Sequence, residues 1–338
     1  NWMSDLSSNA KQSFKSALVS AKQIIHKELD LTETLMMNFA AEAPPGISER
    51  LLHLMRRKGK RIRATLLSLI AKSASQDSER IAHACAGIEL LHLASLVHDD
   101  IIDKTDIRRG VKTAHEEWGN QIAVLIGDYL LSQAMRSVLS DPSKTTLEIL
   151  SQAANNLIVG EIQELDNSGD LNLSLKKYLK IIHGKTAALS AAAAQIGALI
   201  AGFDEKQIEA CGKMGADFGI AFQIIDDLLD YGYGAKDLDK AKFTDIGNGL
   251  VTLPLIFFLE SASQEEKANM QEWIKNISLE NNAEKIQKTL QESDAFERTK
   301  NMALEFLDSA ANIAENLPDK TIAENLATMF LSMAERGN

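Results

Sequence analysis

The sequence predicts an all-α protein, and three observations carry that expectation. Apolar residues recur at helical spacing along almost the whole chain. Its 338 residues hold only five prolines, at 44, 45, 142, 254 and 318, which leaves 143–253 free of them. Proline removes a backbone donor and clashes with the preceding turn, so a long proline-free stretch favours long helices. No stretch alternates apolar and polar residues for long, as a half-buried strand would.

Taken in order, 6–28 and 30–42 read as a helical pair closed by Ala43-Pro44-Pro45-Gly46. That is the best boundary signal in a chain that otherwise lacks a linker or a composition break. A helix over 48–57 follows, and Gly59-Lys60-Arg61-Ile62-Arg63 opens the next, 61–74. Helix 78–103 contains the apolar run from Ile88 to His98. Gly110 marks a turn, and Pro142 separates helix 120–140 from the aliphatic helix 144–167. After a turn at Asn167–Asp170, the segment 174–202 joins two apolar runs around Gly184-Lys185-Thr186. Helix 205–231 contains the run Gly219–Ile225. Turn residues fill Tyr231–Gly249, and 250–261, 264–275, 281–291, 294–316 and 319–336 complete the pattern. The chain reads as one domain over 1–338, with Asn1 and Trp2 a remnant ahead of a start at Met3.

Hydrophobic residues make up 45% of the chain, enough for one large core or two modest ones. Only 5% of residues are aromatic, so the core must be mainly aliphatic. The formal net charge of −11 argues against nucleic acid as a partner. Cys85 and Cys211 lie in apolar helical contexts and read as buried thiols, and no C-x-x-C pair suggests zinc. The first residues lack an apolar signal core, which predicts a cytoplasmic protein. The most membrane-like stretch, Ala187–Gly202, is Ala-rich and short for a span, and reads as a buried helix with no membrane crossing.

Two acidic patterns carry the chemistry. Asp99-Asp100-Ile101-Ile102-Asp103 and Asp226-Asp227-Leu228-Leu229-Asp230 both read D-D-x-x-D. Residues four apart share a helix face, so Asp99 pairs with Asp103 and Asp226 with Asp230. A single such pattern is most simply a solvated helix face. Each copy here ends an apolar run, however, and carboxylates packed at a buried helix end need cations between them. Hard oxygen ligands suit Mg²⁺, which keeps waters and bridges to substrate phosphates, so the pair predicts a site for a magnesium-bound diphosphate.

Basic groups complete that expectation. Gly59–Arg63 opens a helix, where free N–H groups and the dipole favour anions. Arg108-Arg109-Gly110 lies one loop beyond the first carboxylates, and arginine forks pair bidentately with phosphate oxygens. Lys185 either snorkels out of its apolar surroundings or reaches into a central site. His92 lies two turns before Asp99, His98 stands beside Asp99, and Gln223 lies three positions before Asp226 on the carboxylate face. Each of these is more ordinarily a structural residue, but together they surround the two acidic motifs.

In these motifs the chain resembles the trans-polyprenyl diphosphate synthases of the isoprenyl synthase family, long-chain type. The two aspartate motifs match, as do G-K-R-x-R at Gly59–Arg63 and E-L-x-H-x-A-S-L-x-H-D-D at Glu89–Asp100. R-R-G matches Arg108–Gly110, G-D-Y-L matches Gly127–Leu130, K-T-A matches Lys185–Ala187 and T-L-P matches Thr252–Pro254. Ala64 stands where a proline often follows the first basic segment. In the family stretch G-K-x-x-G-x-D-L-x-x-G-K, Lys240 fits the first lysine without a gap, Lys242 fits with one, and Leu250 replaces the second.

The resemblance implies an isoprenoid-synthase-like helical bundle around a deep central cavity. Asp99, Asp103 and Asp226 would hold Mg²⁺ on an allylic diphosphate, about three ions per site, with Asp100, Asp227 and Asp230 in support. Arg108 and Lys185 would grip that diphosphate, and Lys240 would add a cation from the loop. Lys60, Arg63, His92 and Arg109 would bind isopentenyl diphosphate. Thr186 and Gln223 would line the reacting centre. The reaction implied is head-to-tail addition of isopentenyl diphosphate by ionisation, condensation and elimination. Ala94 and Ser95 lie one turn below the carboxylates, at a level where relatives with short products carry an aromatic. Small residues there imply an open tunnel and a product of roughly thirty to forty carbons. A homodimer is implied, with a quinone side-chain precursor delivered to a membrane. The alternatives are a geranylgeranyl synthase, the catalytic subunit of a heteromeric synthase, a class I terpene cyclase and a purely structural helical protein.

Overall fold

Helices begin where the sequence supplies capping groups. This computed structural model describes residues 13–56, 58–233, 243–279 and 281–335. Asp77 accepts from the Arg80 N–H and starts a 25-residue helix, and Asp319 caps Ile322 in the same way. Asp204 with Gln207 and Ser263 with Glu266 form reciprocal capping boxes, which satisfy donors that a helix start leaves open.

The N-terminal half comprises α1 (Phe14–Ile24), α2 (His26–Ala41), α3 (Pro45–Met55), α4 (Ile62–Lys72) and α5 (Ser78–Ile102). A small antiparallel hairpin, β1 (Ile107–Arg108) with β2 (Val111–Lys112), leads into α6 (Ala114–Trp118), α7 (Asn120–Ser137) and α8 (Lys144–Asp166). Then come α9 (Leu175–Ile182), a π turn (His183–Ala187), α10 (Ala188–Ile200) and α11 (Glu205–Asp230). The remainder is α12 (Thr244–Gly247), α13 (Leu253–Ser261), α14 (Gln264–Lys275), α15 (Asn282–Glu292), α16 (Ala295–Ala314) and α17 (Lys320–Ser332).

Two aliphatic cores lie on either side of α4 and α10. Leu66, Leu69, Ile70, Ala194 and Ala198 face the core shared with α11, α16 and α17. Ala64, Leu67, Ala71, Leu189, Ala193 and Ile196 face the core shared with α5, α7 and α8. A helix apolar all round belongs in the interior, and every residue of α4 from Ala64 to Ala71 is buried. Cys85 and Cys211 are buried free thiols, as expected, and burial pushes them up to about 12 and about 11.

Several boundaries differ from expectation. The first break falls at Ile25, where the chain kinks to bury that side chain fully. The segment 174–202 is interrupted by the π turn. Short elements at 107–118 escape notice because two-residue strands show no alternation. Ala188–Ile200 is the buried helix expected. Among the described residues, one helix, α5, is long and apolar enough to cross a membrane, and here it is mostly buried inside the protein. Lys240 and Lys242 lie outside the described residues.

Candidate active site

The two aspartate motifs end α5 and α11 and meet across the π turn. Lys185, on that turn, is ion-paired with Glu164 at 2.5 Å and Glu161 at 3.1 Å, both from α8. It also feels Asp99 from the first motif, and its acidic neighbours hold its ammonium well above the usual range against the pull of burial. A cavity of about 140 Å³ is lined by Asp103, Glu164, Lys185, Thr186, Gln223, Asp227 and Asp245, among others, so residues of both motifs share one space. Thr186 donates to Gln223 at 2.9 Å, and Gln223 donates to the buried Asp227 at 2.9 Å. The Tyr178 hydroxyl donates to the other Asp227 oxygen.

Glycines bring these backbones together. A Cβ at Gly160 would collide with the backbone of Lys185, and one at Gly219 with Ala187. The two helices therefore touch the π turn directly. A π turn admits one residue more than an α-helix would, and such turns concentrate at functional sites.

Charge crowds on the acidic side. Burial pushes the Asp99 carboxyl up to about 7, and the carboxylates of Glu161 and Asp103 add to it. Asp245 is pushed up to about 7 by burial and by Asp230 and Glu164, and Asp227 is held well above its usual range by burial. Asp100 is engaged by Arg108 at 2.7 and 2.8 Å, and Asp230 accepts from the Thr244 and Asp245 N–H groups at 3.1 Å. Asp100, Asp227 and Asp230 are thus each engaged by protein donors. Arg108 directs part of its fork at Asp100.

A cationic cluster gathers around His92, two turns before Asp99 on α5. Arg63 Nη1 lies 3.3 Å from His92 Nε2, and its buried Nε has no hydrogen-bond partner. Burial lowers the Arg63 guanidinium, offset by Glu89 and Asp226. His92 is held well below its usual range, first by burial and then by Arg63, Arg61, Arg108 and Arg109, so it is neutral near pH 7. Arg109 sits at the hairpin turn with φ 51°, exposed. Lys60 is exposed at the entrance to α4. One expectation needs correction: the first turn of α4 is not wholly open to an anion. The Ala64 N–H donates to Glu89 at 3.1 Å. The carboxylate of α5 lies beneath that turn and takes a donor that a ligand would otherwise use.

Ala94 is buried and Ser95 half-buried, its hydroxyl donating to the His92 carbonyl at 2.8 Å. His98 faces α7, with Nε2 lying 3.0 Å from the Val124 carbonyl oxygen and 3.4 Å from Asp128 Oδ1.

The polyprenyl synthetase family model matches residues 44–293. The chain belongs to the polyprenyl synthetase family. It is 30% identical over 316 residues to heptaprenyl diphosphate synthase component 2 of Bacillus subtilis, covering 94% of this chain and 90% of the relative. It is 33% identical to octaprenyl diphosphate synthase of Escherichia coli, with 79% and 83% covered. The structure superposes on a decaprenyl diphosphate synthase from Rhodobacter capsulatus with a TM-score of 0.90 at 30% identity, covering 95% and 99%. It superposes on a Caulobacter crescentus polyprenyl synthase complexed with calcium and isoprenyl diphosphate with a TM-score of 0.86 at 31% identity, covering 95% and 98%.

This polyprenyl synthetase is a prenyltransferase with the all-α isoprenoid synthase fold and acts as a trans-polyprenyl diphosphate synthase. Its donor set suits a hard divalent cation. The ligands at hand are carboxylate oxygens, Asp99 is strained by like charge, and Glu161 Oε1 is buried without a hydrogen-bond partner. Glu161, Glu164, Tyr178 and Asp245 were not anticipated from the sequence. The nearest signal was Gly160 followed by two acids three apart, directly after the apolar run Leu157-Ile158-Val159.

Proposed function

We propose that this enzyme extends a farnesyl or geranylgeranyl primer with isopentenyl diphosphate to roughly thirty to forty carbons. The reading is carried by one observation: Lys185 stands between the two aspartate motifs, with the Arg63–His92–Arg109 cluster gathered around His92, two turns before Asp99 on the same face of α5. Two anionic substrates would sit head to tail across Asp99.

Mg²⁺, held by Asp99, Asp103 and Asp226 with about three ions per site, would neutralise the allylic diphosphate as it departs. Lys185 and Arg108 grip the same diphosphate, and Lys240, outside the described residues, would add a further cation. The leaving group takes the bonding electron pair and leaves an allylic cation. Thr186 and Gln223 turn oxygen dipoles toward that cation. Arg63, Arg109, Lys60 and His92 hold isopentenyl diphosphate so that its double bond attacks. The proton lost on elimination goes to the departing diphosphate, whose oxygens are freed as the allylic bond breaks. The Caulobacter relative, complexed with calcium and isoprenyl diphosphate, supports both the cation and the ligand class.

Ala94 and Ser95 leave room for a growing tail, and relatives are named hepta-, octa- and nonaprenyl synthases. A side-chain precursor for a respiratory quinone, delivered to a membrane, fits such a product. A homodimer fits the apolar face that the neighbouring helices α7 and α8 leave exposed, with Leu125, Ile158, Ile162 and Leu165 each more than half exposed. A second reading, a heteromeric synthase, is favoured by the Bacillus relative's being named component 2.

The test is to incubate the purified chain with Mg²⁺, labelled isopentenyl diphosphate and farnesyl diphosphate, then size the dephosphorylated products. A ladder ending at the long lengths supports the reading. A twenty-carbon stop leaves a geranylgeranyl synthase, and no product from folded protein leaves the heteromeric case.

A further inference from the structure

Arg61 lies between two residues of the isopentenyl diphosphate site, yet it does not face that site. Its backbone is left-handed, with φ 53° and ψ 37°, immediately before α4. A side chain with a Cβ occupies that region only when its surroundings compel it. Here they do. Glu33 of α2 takes the guanidinium as a fork, Nε to Oε1 at 2.5 Å and Nη2 to Oε2 at 3.2 Å. Glu89 of α5 accepts from Nη1 at 3.2 Å with one oxygen, and from the Ala64 N–H at 3.1 Å with the other. The Arg61 carbonyl in turn accepts from the Thr65 hydroxyl at 2.7 Å. The Arg61 side chain is only 13% exposed and that of Glu89 3%.

We infer that Glu33 and Glu89 are positioning residues for the isopentenyl diphosphate site, acting through the left-handed backbone of Arg61. This rests on the assignment of Lys60 and Arg63 to that substrate. Glu89 lies one turn from His92 on α5, so the clamp shares a helix with the site it serves. Arg63 points to His92, and its buried Nε has no hydrogen-bond partner within the protein. Lys60 precedes the left-handed residue and Arg63 follows it by two. If Arg61 relaxed to a right-handed conformation, Lys60 would swing away while Arg63 stayed on α4. Bidentate carboxylates on a planar fork hold one geometry, which a lysine at 61 would not reproduce. Glu33 matches none of the family motifs recognised in the sequence. It reaches the site only because α2 packs beside α5.

The test is steady-state kinetics of Glu33→Gln, Arg61→Gly, the double variant and Arg63→Ala, with melting temperature recorded for each. Glu33→Gln should raise KM for isopentenyl diphosphate about tenfold, as a misplaced binding group does. KM for the allylic substrate and kcat should stay within about twofold, a split that general destabilisation would not produce. Arg61→Gly combined with Glu33→Gln should cost no more than the worse single change, because both act through one backbone geometry. Unchanged KM in Glu33→Gln, or all constants moving together with the melting temperature, overturns the inference. Should Arg63→Ala itself leave KM for isopentenyl diphosphate unchanged, the assignment of the site falls and the clamp's role with it. A raised KM in Arg63→Ala but not in Glu33→Gln removes the clamp alone.

Discussion

Replacing Asp99 by Asn should stabilise the metal-free protein at alkaline pH. Burial and neighbouring carboxylates raise Asp99 from 3.8 to about 7 in the folded state. A carboxyl raised on folding binds its proton more tightly folded than unfolded, so stability falls as pH rises from 3.8 through about 7. The gap of about three pH units corresponds to a ceiling of about 4 kcal/mol, at about 1.4 kcal/mol per unit. Partial exposure and bound cations reduce it. His92 works in the opposite sense: held neutral when folded, it costs stability as pH falls below 6.5. The difference between wild type and Asp99→Asn isolates the carboxyl from that background. Thermal melts in chelator at pH 4.5, 6 and 8 should show the variant gaining on wild type as pH rises, by roughly 5 °C at pH 8. Adding Mg²⁺ at pH 8 should close the gap, because the wild-type carboxylate gains a counter-charge that Asn cannot use. If the two melt alike at pH 8 without metal, the carboxylates are not crowded and the account of the site is wrong.

Three further outcomes are expected. Lys185→Met should lower kcat by about 10²–10³-fold. It should also cost about 3 kcal/mol at pH 8 by leaving Glu161 and Glu164 without their cation, and the loss should shrink as pH falls, because burial already holds the Glu164 carboxyl above its ordinary range. Gly160→Ala should destabilise by about 1–3 kcal/mol through overpacking against Lys185, and lower kcat while KM for isopentenyl diphosphate holds. Ser95→Phe, about 6 Å below Asp99 at helical rise, should shorten the product, and Ala94→Phe should do the same with an overpacking penalty. Sizing the dephosphorylated products checks both, and an unchanged length would place the tail elsewhere.

What could be read in advance follows from how local each signal is. The helices ending in Asp99–Asp103 and Asp226–Asp230 were legible because period and motif lie in one continuous stretch. Lys185 was ambiguous from sequence, since Glu161 and Glu164 sit on another helix and only packing brings them within 3.1 Å. The π turn was illegible for a different reason: one surplus residue leaves the apolar pattern of 174–202 almost intact. Glu89 was read only as part of a motif, and its hold on the Ala64 N–H emerges only when α4 is laid against α5. Glu33 carried no signal at all. Lys240 lies in a stretch of turn residues where periodicity says nothing.

The surplus residue in the π turn has a consequence for how this enzyme can change over time. Each helical residue advances the chain's rotation by about 100°. A deletion between Tyr178 and Ile200 would restore ordinary hydrogen bonding and leave a straighter helix. It would also rotate Lys185 and Thr186 out of line with α10 and with everything beyond it. A shortened chain could therefore be the better-folded one and still be inert. Substitutions along this stretch can be sampled one at a time, but its length is locked. Drift that removes the surplus residue would be favoured by folding and opposed only by catalysis.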